Sequence, residues 1–123
     1  MFESYGKDKK ELFSNSAEAL FSIICKIKKV EPKVKKEISV KGKDIKDLLF
    51  NFLQELIARV DIDGLFFSKF EIKEFSDKKL KALCYGEPIS PEKGEIIVKA
   101  VTLYKFNVEK TDKGYKATVS LDI

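Results

Sequence analysis

The stretch from Val98 to Ile123 constrains the fold most tightly. Val98 to Val108 reads as a strand, Thr111-Asp112-Lys113-Gly114 as a turn, and Tyr115 to Ile123 as a return strand of β-formers in strict alternation. One register gives the hairpin a continuous apolar face: Tyr104 opposite Leu121, Phe106 opposite Val119 and Val108 opposite Ala117. A slip of one residue would mix that face with Ser120 and Thr118. In this register Asp122 falls opposite Leu103, and Lys99 lies about 13 Å farther along, at ~3.3 Å per residue. Both charges point to the less apolar face, so a cation and a carboxylate sit near one end of a sheet. They are the first candidates for function.

The rest of the chain supplies what that hairpin packs on. Met1 to Tyr5 reads as a short strand ended by Gly6. Asp8 with Glu11 forms a helix-start pair, and Leu12, Phe13, Ala17, Leu20, Ile23, Ile24 and Ile27 keep helical spacing to about Lys28. Val34 to Lys41 carries a strand-like Ile38/Val40 pair closed by Gly42. Asp44 then caps a second helix whose stripe runs from Ile45 to Val60, stopped by Asp61-Ile62-Asp63-Gly64. Leu65 to Glu74 is a strand with Phe70 and Ile72 inward and Lys69, Glu71 and Lys73 outward; Leu80, Ala82 and Cys84 alternate in the next. No internal repeat is read from the sequence. The order β-α-β-α-β-β-β-β implies a single α+β domain over 1–123, with two helices packed on one face of a mostly antiparallel sheet.

Composition excludes more than it assigns. There is no histidine, which removes Ser-His and Cys-His nucleophile arrangements. No glycine-rich phosphate loop is present, and the carboxylates form no acid/base motif, so no catalytic residue is assigned. Cys25 and Cys84 are isolated and read as small buried hydrophobes. No apolar run is long enough to cross a bilayer and no secretory signal is read, so a cytoplasmic address is expected. The net charge of +4 is uneven: between Lys26 and Lys43, eight lysines face only Glu31 and Glu37, a local excess of +6. That run is either a solvated loop-and-edge surface or a contact for an anionic partner.

At the hairpin the residues carry a resemblance. Val98-Lys99-Ala100-Val101-Thr102, preceded by Gly86-Glu87 and followed by Leu121-Asp122-Ile123, resembles the archease family. Tyr5-Gly6-Lys7 with Glu11-Leu12-Phe13-x-Asn15-x-Ala17 is similar to the family's first helix, Leu48 to Leu56 to its second, and Phe67-Ser68-Lys69-Phe70 to the strand after it. The resemblance implies an accessory protein rather than an enzyme. Its partner would be the RtcB-type RNA ligase of tRNA splicing, whose guanylylation with GTP and multiple turnover it would promote. An RNA-methyltransferase chaperone role is also implied, and a small basic module binding RNA, tRNA among them, through Lys26 to Lys43 is the alternative. The family's functional lysine carries over as Lys99 and its C-terminal aspartate as Asp122. With the main-chain oxygen of Ile123, Asp122 would help hold a divalent ion, calcium or else magnesium or manganese, all suited to hard oxygen ligands. The family's other aspartate, on the first strand, falls about two positions before Met1. The start has been placed late, the chain is shortened, or the ion site is half lost; Glu3 is either a substitute or a surface residue.

Overall fold

The two helices start from closely similar local sequences, and the whole architecture follows that duplication. The structure is a computed structural model describing residues 1–123. In chain order it contains β1 (Phe2–Gly6), α1 (Lys9–Ile24), a 3-10 turn (Ile27–Lys29), β2 (Val34–Lys41), α2 (Ile45–Asp63), β3 (Leu65–Phe75), β4 (Lys79–Pro88), β5 (Ala100–Thr111) and β6 (Gly114–Asp122). Gly6-Lys7-Asp8-Lys9-Lys10-Glu11-Leu12, with Asn15 beyond it, recurs as Gly42-Lys43-Asp44-Ile45-Lys46-Asp47-Leu48, with Asn51 beyond it.

The repeat is made of matched hydrogen bonds. Asp8 Oδ1 accepts from Glu11 N–H and Asp44 Oδ1 from Asp47 N–H, both at 2.8 Å. In return Glu11 Oε1 accepts from Lys7 N–H at 3.0 Å, and Asp47 Oδ2 from Lys43 N–H at 2.8 Å. Two reciprocal caps result, variants of the capping box in which the return bond comes from the N–H one residue before the N-cap. Asn15 Nδ2 then donates to Tyr5 O at 2.7 Å, and Asn51 Nδ2 to Lys41 O at 2.8 Å, tying each helix back to its own strand. A Cβ on Gly6 or Gly42 would strike the Leu12 or Leu48 backbone, so both turns demand glycine. Asp8→Ala and Asp44→Ala should each cost about 1 kcal/mol, and the two losses should add, since the caps serve separate helices. Urea melts that leave either variant at wild-type stability would contradict this.

The expected element order is the observed one, but the strands divide into two three-stranded antiparallel sheets, β1-β6-β5 and β2-β4-β3. Each sheet repeats one plan. The strand leading into a helix takes one edge, the second strand of a hairpin takes the centre, and the first strand takes the other edge. The repeat is hidden in the sequence because only the helix starts match, and those at five of seven positions; the duplication lies in register and capping. Both helices pack on both sheets, α1 on β1, β3 and β6 and α2 on β2, β3 and β5. The core runs without a break from Leu12, Phe13 and Phe52 through Phe67 and Leu80 to Ala117 and Val119. No helix is long and apolar enough to cross a membrane.

α1 ends at Ile24 rather than near Lys28. Cys25 turns extended (φ −149°), its N–H donates back to Phe21 O at 2.9 Å, and the residue forms a bridge with Gly94. Ile27 keeps the helical spacing by coincidence and belongs to the 3-10 turn. Burial pushes the Cys25 thiol up to about 11 and Cys84 to about 12, which keeps both protonated and unreactive at neutral pH.

Candidate functional site

Lys99 and Asp122 meet at the open end of the β5–β6 ladder. Asp122 pairs with Ala100, and Lys99 N–H donates to Asp122 O at 2.7 Å. Lys99 and Ala100 therefore both stand opposite one residue, the two-against-one count of a β-bulge. The burial phase agrees: Val98 and Val101, three apart, are both buried, while Lys99 is exposed and Ala100 half-buried between them. This leaves Lys99 on the face that Asp122 and Ala100 share, away from the core. Both side chains are exposed and neither forms an ion pair. The shared face is as the alternation implies, but the separation of about 13 Å is wrong, because adjacent backbones need no such span.

The error has one local cause. Val108 pairs with Ala117 as expected, but Thr102 pairs with Ser120 and Asn107 with Thr118, so Leu103 to Phe106 face a single residue, Val119. The excess bulges out of the ladder with Lys105 in the left-handed region (φ 53°), and Leu121 pairs with Val101 instead of Tyr104. Tyr104, expected to face the core, is 64% exposed. Phe106 stays buried, its ring 5.4 Å from Phe50 of α2 and edge-on to it. α2 also holds the start of β5, where Gln54 Oε1 accepts from Val101 N–H at 2.9 Å.

Exposed apolar side chains adjoin the corner in sequence. Ile97, two residues before Lys99, is 82% exposed, and Ile123, next to Asp122, is exposed as well; exposed Leu103 lies apart, against Asp47 and Phe50 at the start of α2. Ile96, Ile97 and Val98 form one wall of a cleft of about 410 Å³ whose other walls include Ile57, Phe66 and Ile89. The loop carrying this wall is clamped to the end of α1, where Lys26 N–H donates to Lys93 O at 2.7 Å and Glu95 N–H to Ile24 O at 2.9 Å.

Glu87 fixes the same loop from below. Its buried carboxylate accepts from Lys93 Nζ at 2.6 Å and from Glu31 N–H. The Lys93 ammonium, then the Glu31 N–H, hold the Glu87 carboxyl below its ordinary value of 4.5 against the opposing effect of burial. A lowered folded-state value means that this stabilisation is present above the unfolded value and is lost as pH falls through the folded one. Urea midpoints should therefore fall on acidification below about pH 4.5, and Glu87→Gln should lower the midpoint at neutral pH and flatten that acid limb. An unchanged acid limb in the variant would contradict the assignment.

The residues present do not by themselves fit a divalent ion. No group of three or more His, Cys, Asp or Glu side chains could hold a metal. Asp122 and the Ile123 main-chain oxygen are few donors against the six to eight oxygens that calcium takes. Glu3 is no substitute: it pairs with Thr118, not with Asp122, and Lys116 Nζ engages it at 3.0 Å and holds its carboxyl below the ordinary range. Continued backwards, the β1–β6 register would set a residue two positions before Met1 opposite Asp122, where the resemblance puts the family's first-strand aspartate.

The lysine run from Lys26 to Lys43 is not one patch. Lys26, Lys28 and Lys29 lie along a shallow groove at the 3-10 turn. Lys33 pairs with Glu31 at 2.9 Å and Lys36 with Asp63 at 3.1 Å. Lys35 and Lys41 point outward from β2, on the strand phase opposite Ile38 and Val40.

Comparison with known proteins accords with this architecture. The family model described as "Archease protein family (MTH1598/TM1083)" matches residues 1–123. The chain is 45% identical over 115 residues to the "Protein archease" of Pyrococcus abyssi, covering 89% of this chain and 81% of that one. It is 35% identical over 128 residues to the protein of that name from Methanosarcina mazei, covering 99% and 88%. Among solved structures, protein 1598 of Methanobacterium thermoautotrophicum superposes with a TM-score of 0.78 at 28% identity, over 98% of this chain and 88% of that one. A Thermotoga maritima structure, described as an archease and possible chaperone, shares the fold at a TM-score of 0.72 and 17% identity, over 99% and 88%. The match covers both halves of the duplicated fold and the hairpin bearing Lys99 and Asp122: this chain belongs to the archease family.

Proposed function

We propose that this protein is an accessory factor of an RtcB-type GTP-dependent RNA ligase in tRNA splicing, acting in the cytoplasm and working through the Lys99–Asp122 corner. The observation that carries the reading is the backbone contact that sets an unpaired lysine and an unpaired carboxylate on adjacent strands at an exposed sheet end, next to exposed Ile97 and Ile123. A self-sufficient acid/base pair would be enclosed and preorganised. Two exposed charges beside exposed Ile97 and Ile123 suit insertion into a larger protein, where burial of those apolar side chains supplies affinity and the charges gain strength as water leaves. In that setting Lys99 steadies a nucleotide phosphate or a ligase carboxylate while the ligase is guanylylated. Asp122 orients a cationic group of the same site. No step of the proposal runs through a metal.

The test is RNA ligation by the ligase with GTP, under multiple-turnover conditions, with and without this protein. Lys99→Ala and Asp122→Ala should each reduce the stimulation about tenfold. The first turnover of a ligase guanylylated beforehand should be unaffected. If both variants stimulate like wild type, the corner is wrongly assigned; if the wild-type protein stimulates nothing, the ligase reading fails.

A further inference from the structure

The second sheet repeats the plan of the first, so the position corresponding to the Lys99–Asp122 corner can be located. Gly6 pairs with Tyr115 on β6, and Gly42 N–H donates to Lys78 O at the start of β4. Tyr85 stands as far along β4 from Lys78 as Asp122 stands along β6 from Tyr115. It also has a bulged neighbour: the β3–β4 register shifts between Phe67 and Lys69, and Lys69 is the residue opposite Tyr85. On the other side Tyr85 pairs with Lys35 of β2.

The outer face of this sheet is thus ordered in rows. Lys35, Tyr85 and Lys69 form the first, with Lys69 Nζ over the Tyr85 ring at 5.1 Å from its centroid. Glu37, Leu83 and Glu71 form the second, and Ser39, Lys81 and Glu74 the third. Lys41 directly opposite Lys79 ends the sheet. The middle rows neutralise themselves, because Lys81 bridges Glu37 and Glu74, and Glu71 takes Lys73. The end rows do not. Lys35, Lys69, Lys41 and Lys79 are exposed and none forms an ion pair. Like charges directly opposite each other cost stability, so Lys41 and Lys79 are a poor choice for the fold alone. They line a groove of about 350 Å³ at the sheet end together with Lys81 and its ion-pair partner Glu74, so Lys41 and Lys79 supply its uncompensated charge.

We infer that this sheet face binds single-stranded RNA, with a base stacked on Tyr85, its flanking phosphates at Lys35 and Lys69, and a later phosphate in the groove between Lys41 and Lys79. The two cationic rows are six strand residues apart, about 20 Å, room for a few nucleotides laid along the strands. An aromatic ring among unpaired lysines on an open sheet takes an unpaired base, which a duplex cannot offer. Lys69 covers the ring in the free protein and swings to a phosphate when a base replaces it. The choice of RNA over DNA rests on the ligase reading; the surface itself does not.

The test uses the full chain without any ligase and fluorescence anisotropy of a labelled mixed-sequence oligoribonucleotide. Binding should weaken as salt rises, and the duplex form should bind worse. Tyr85→Ala should weaken binding roughly tenfold while Tyr85→Phe keeps it. Lys41→Glu with Lys79→Glu should lower the salt slope by about 0.7 for each phosphate that is no longer neutralised. Lys35→Ala and Lys69→Ala, both at exposed positions, report on the same face without risk to the core. Absence of binding, equal binding of duplex, or losses confined to variants of Lys26, Lys28 and Lys29 would overturn the proposal. Tighter binding of the matching oligodeoxyribonucleotide would overturn the RNA assignment. None of these results bears on whether the ligase is stimulated.

Discussion

Gly86→Ala is expected to cost about 3 kcal/mol or more and to lower the melting temperature by about 10 °C. Gly86 lies on β4 between Val34 of β2 and Phe67 of β3, where the β3 bulge begins. A Cβ there would overlap the Phe66 carbonyl oxygen and come within 2.8 Å of Phe67 Cα. Both are backbone atoms of a strand held on β4 by its ladder, so neither can swing aside as a side chain would. Relief requires β3 to leave the ladder at the bulge that places Lys69 opposite Tyr85. The loss should thus appear in both stability and RNA binding. A variant that melts with wild type would mean the two strands do not cross this closely.

Phe13→Ala should cost about 3–5 kcal/mol, a large part of the 5–15 kcal/mol that holds a typical domain together. Phe13 is fully buried on α1 and joins three elements. Its ring lies 6.0 Å from that of Phe52 on α2 and meets Phe75 of β3 edge-on at 5.1 Å. Truncation removes both aromatic contacts and leaves a cavity that packed helices on either side cannot close. Phe13→Leu, which keeps most of the volume, should recover more than half of the loss. Guanidinium titration distinguishes the cases. A loss below about 1 kcal/mol for the alanine variant would place Phe13 outside the core.

Regular elements are legible in the sequence wherever a single period governs them. The stripe from Ile45 to Val60 and the cap at Asp44 determine α2, and the alternation of Leu80, Ala82 and Cys84 determines the inner face of β4. What alternation cannot show is a residue that drops out of the ladder. β5 loses register over Leu103 to Phe106, and every position before it moves relative to β6. Strict alternation therefore sends Tyr104 to the wrong face and sets Lys99 too far from Asp122. Bulges turn on backbone conformation, here the positive φ of Lys105, and no side chain there advertises it: lysine is not a residue that favours the left-handed region. The strand division into two sheets is hidden for a related reason, since each central strand pairs with a neighbour far away in sequence. The two candidate residues themselves are visible in the chain, through the resemblance of the hairpin; their contact is not.

The most direct test of the corner is a double-mutant cycle in the ligation assay, comparing Lys99→Ala, Asp122→Ala and the two combined. Side chains that serve one site as a unit should give a double variant no worse than either single one, about tenfold below wild type. Losses that multiply to about a hundredfold would show two residues acting independently, and would contradict the claim that the hydrogen-bonded strand ends bring them together for a common task.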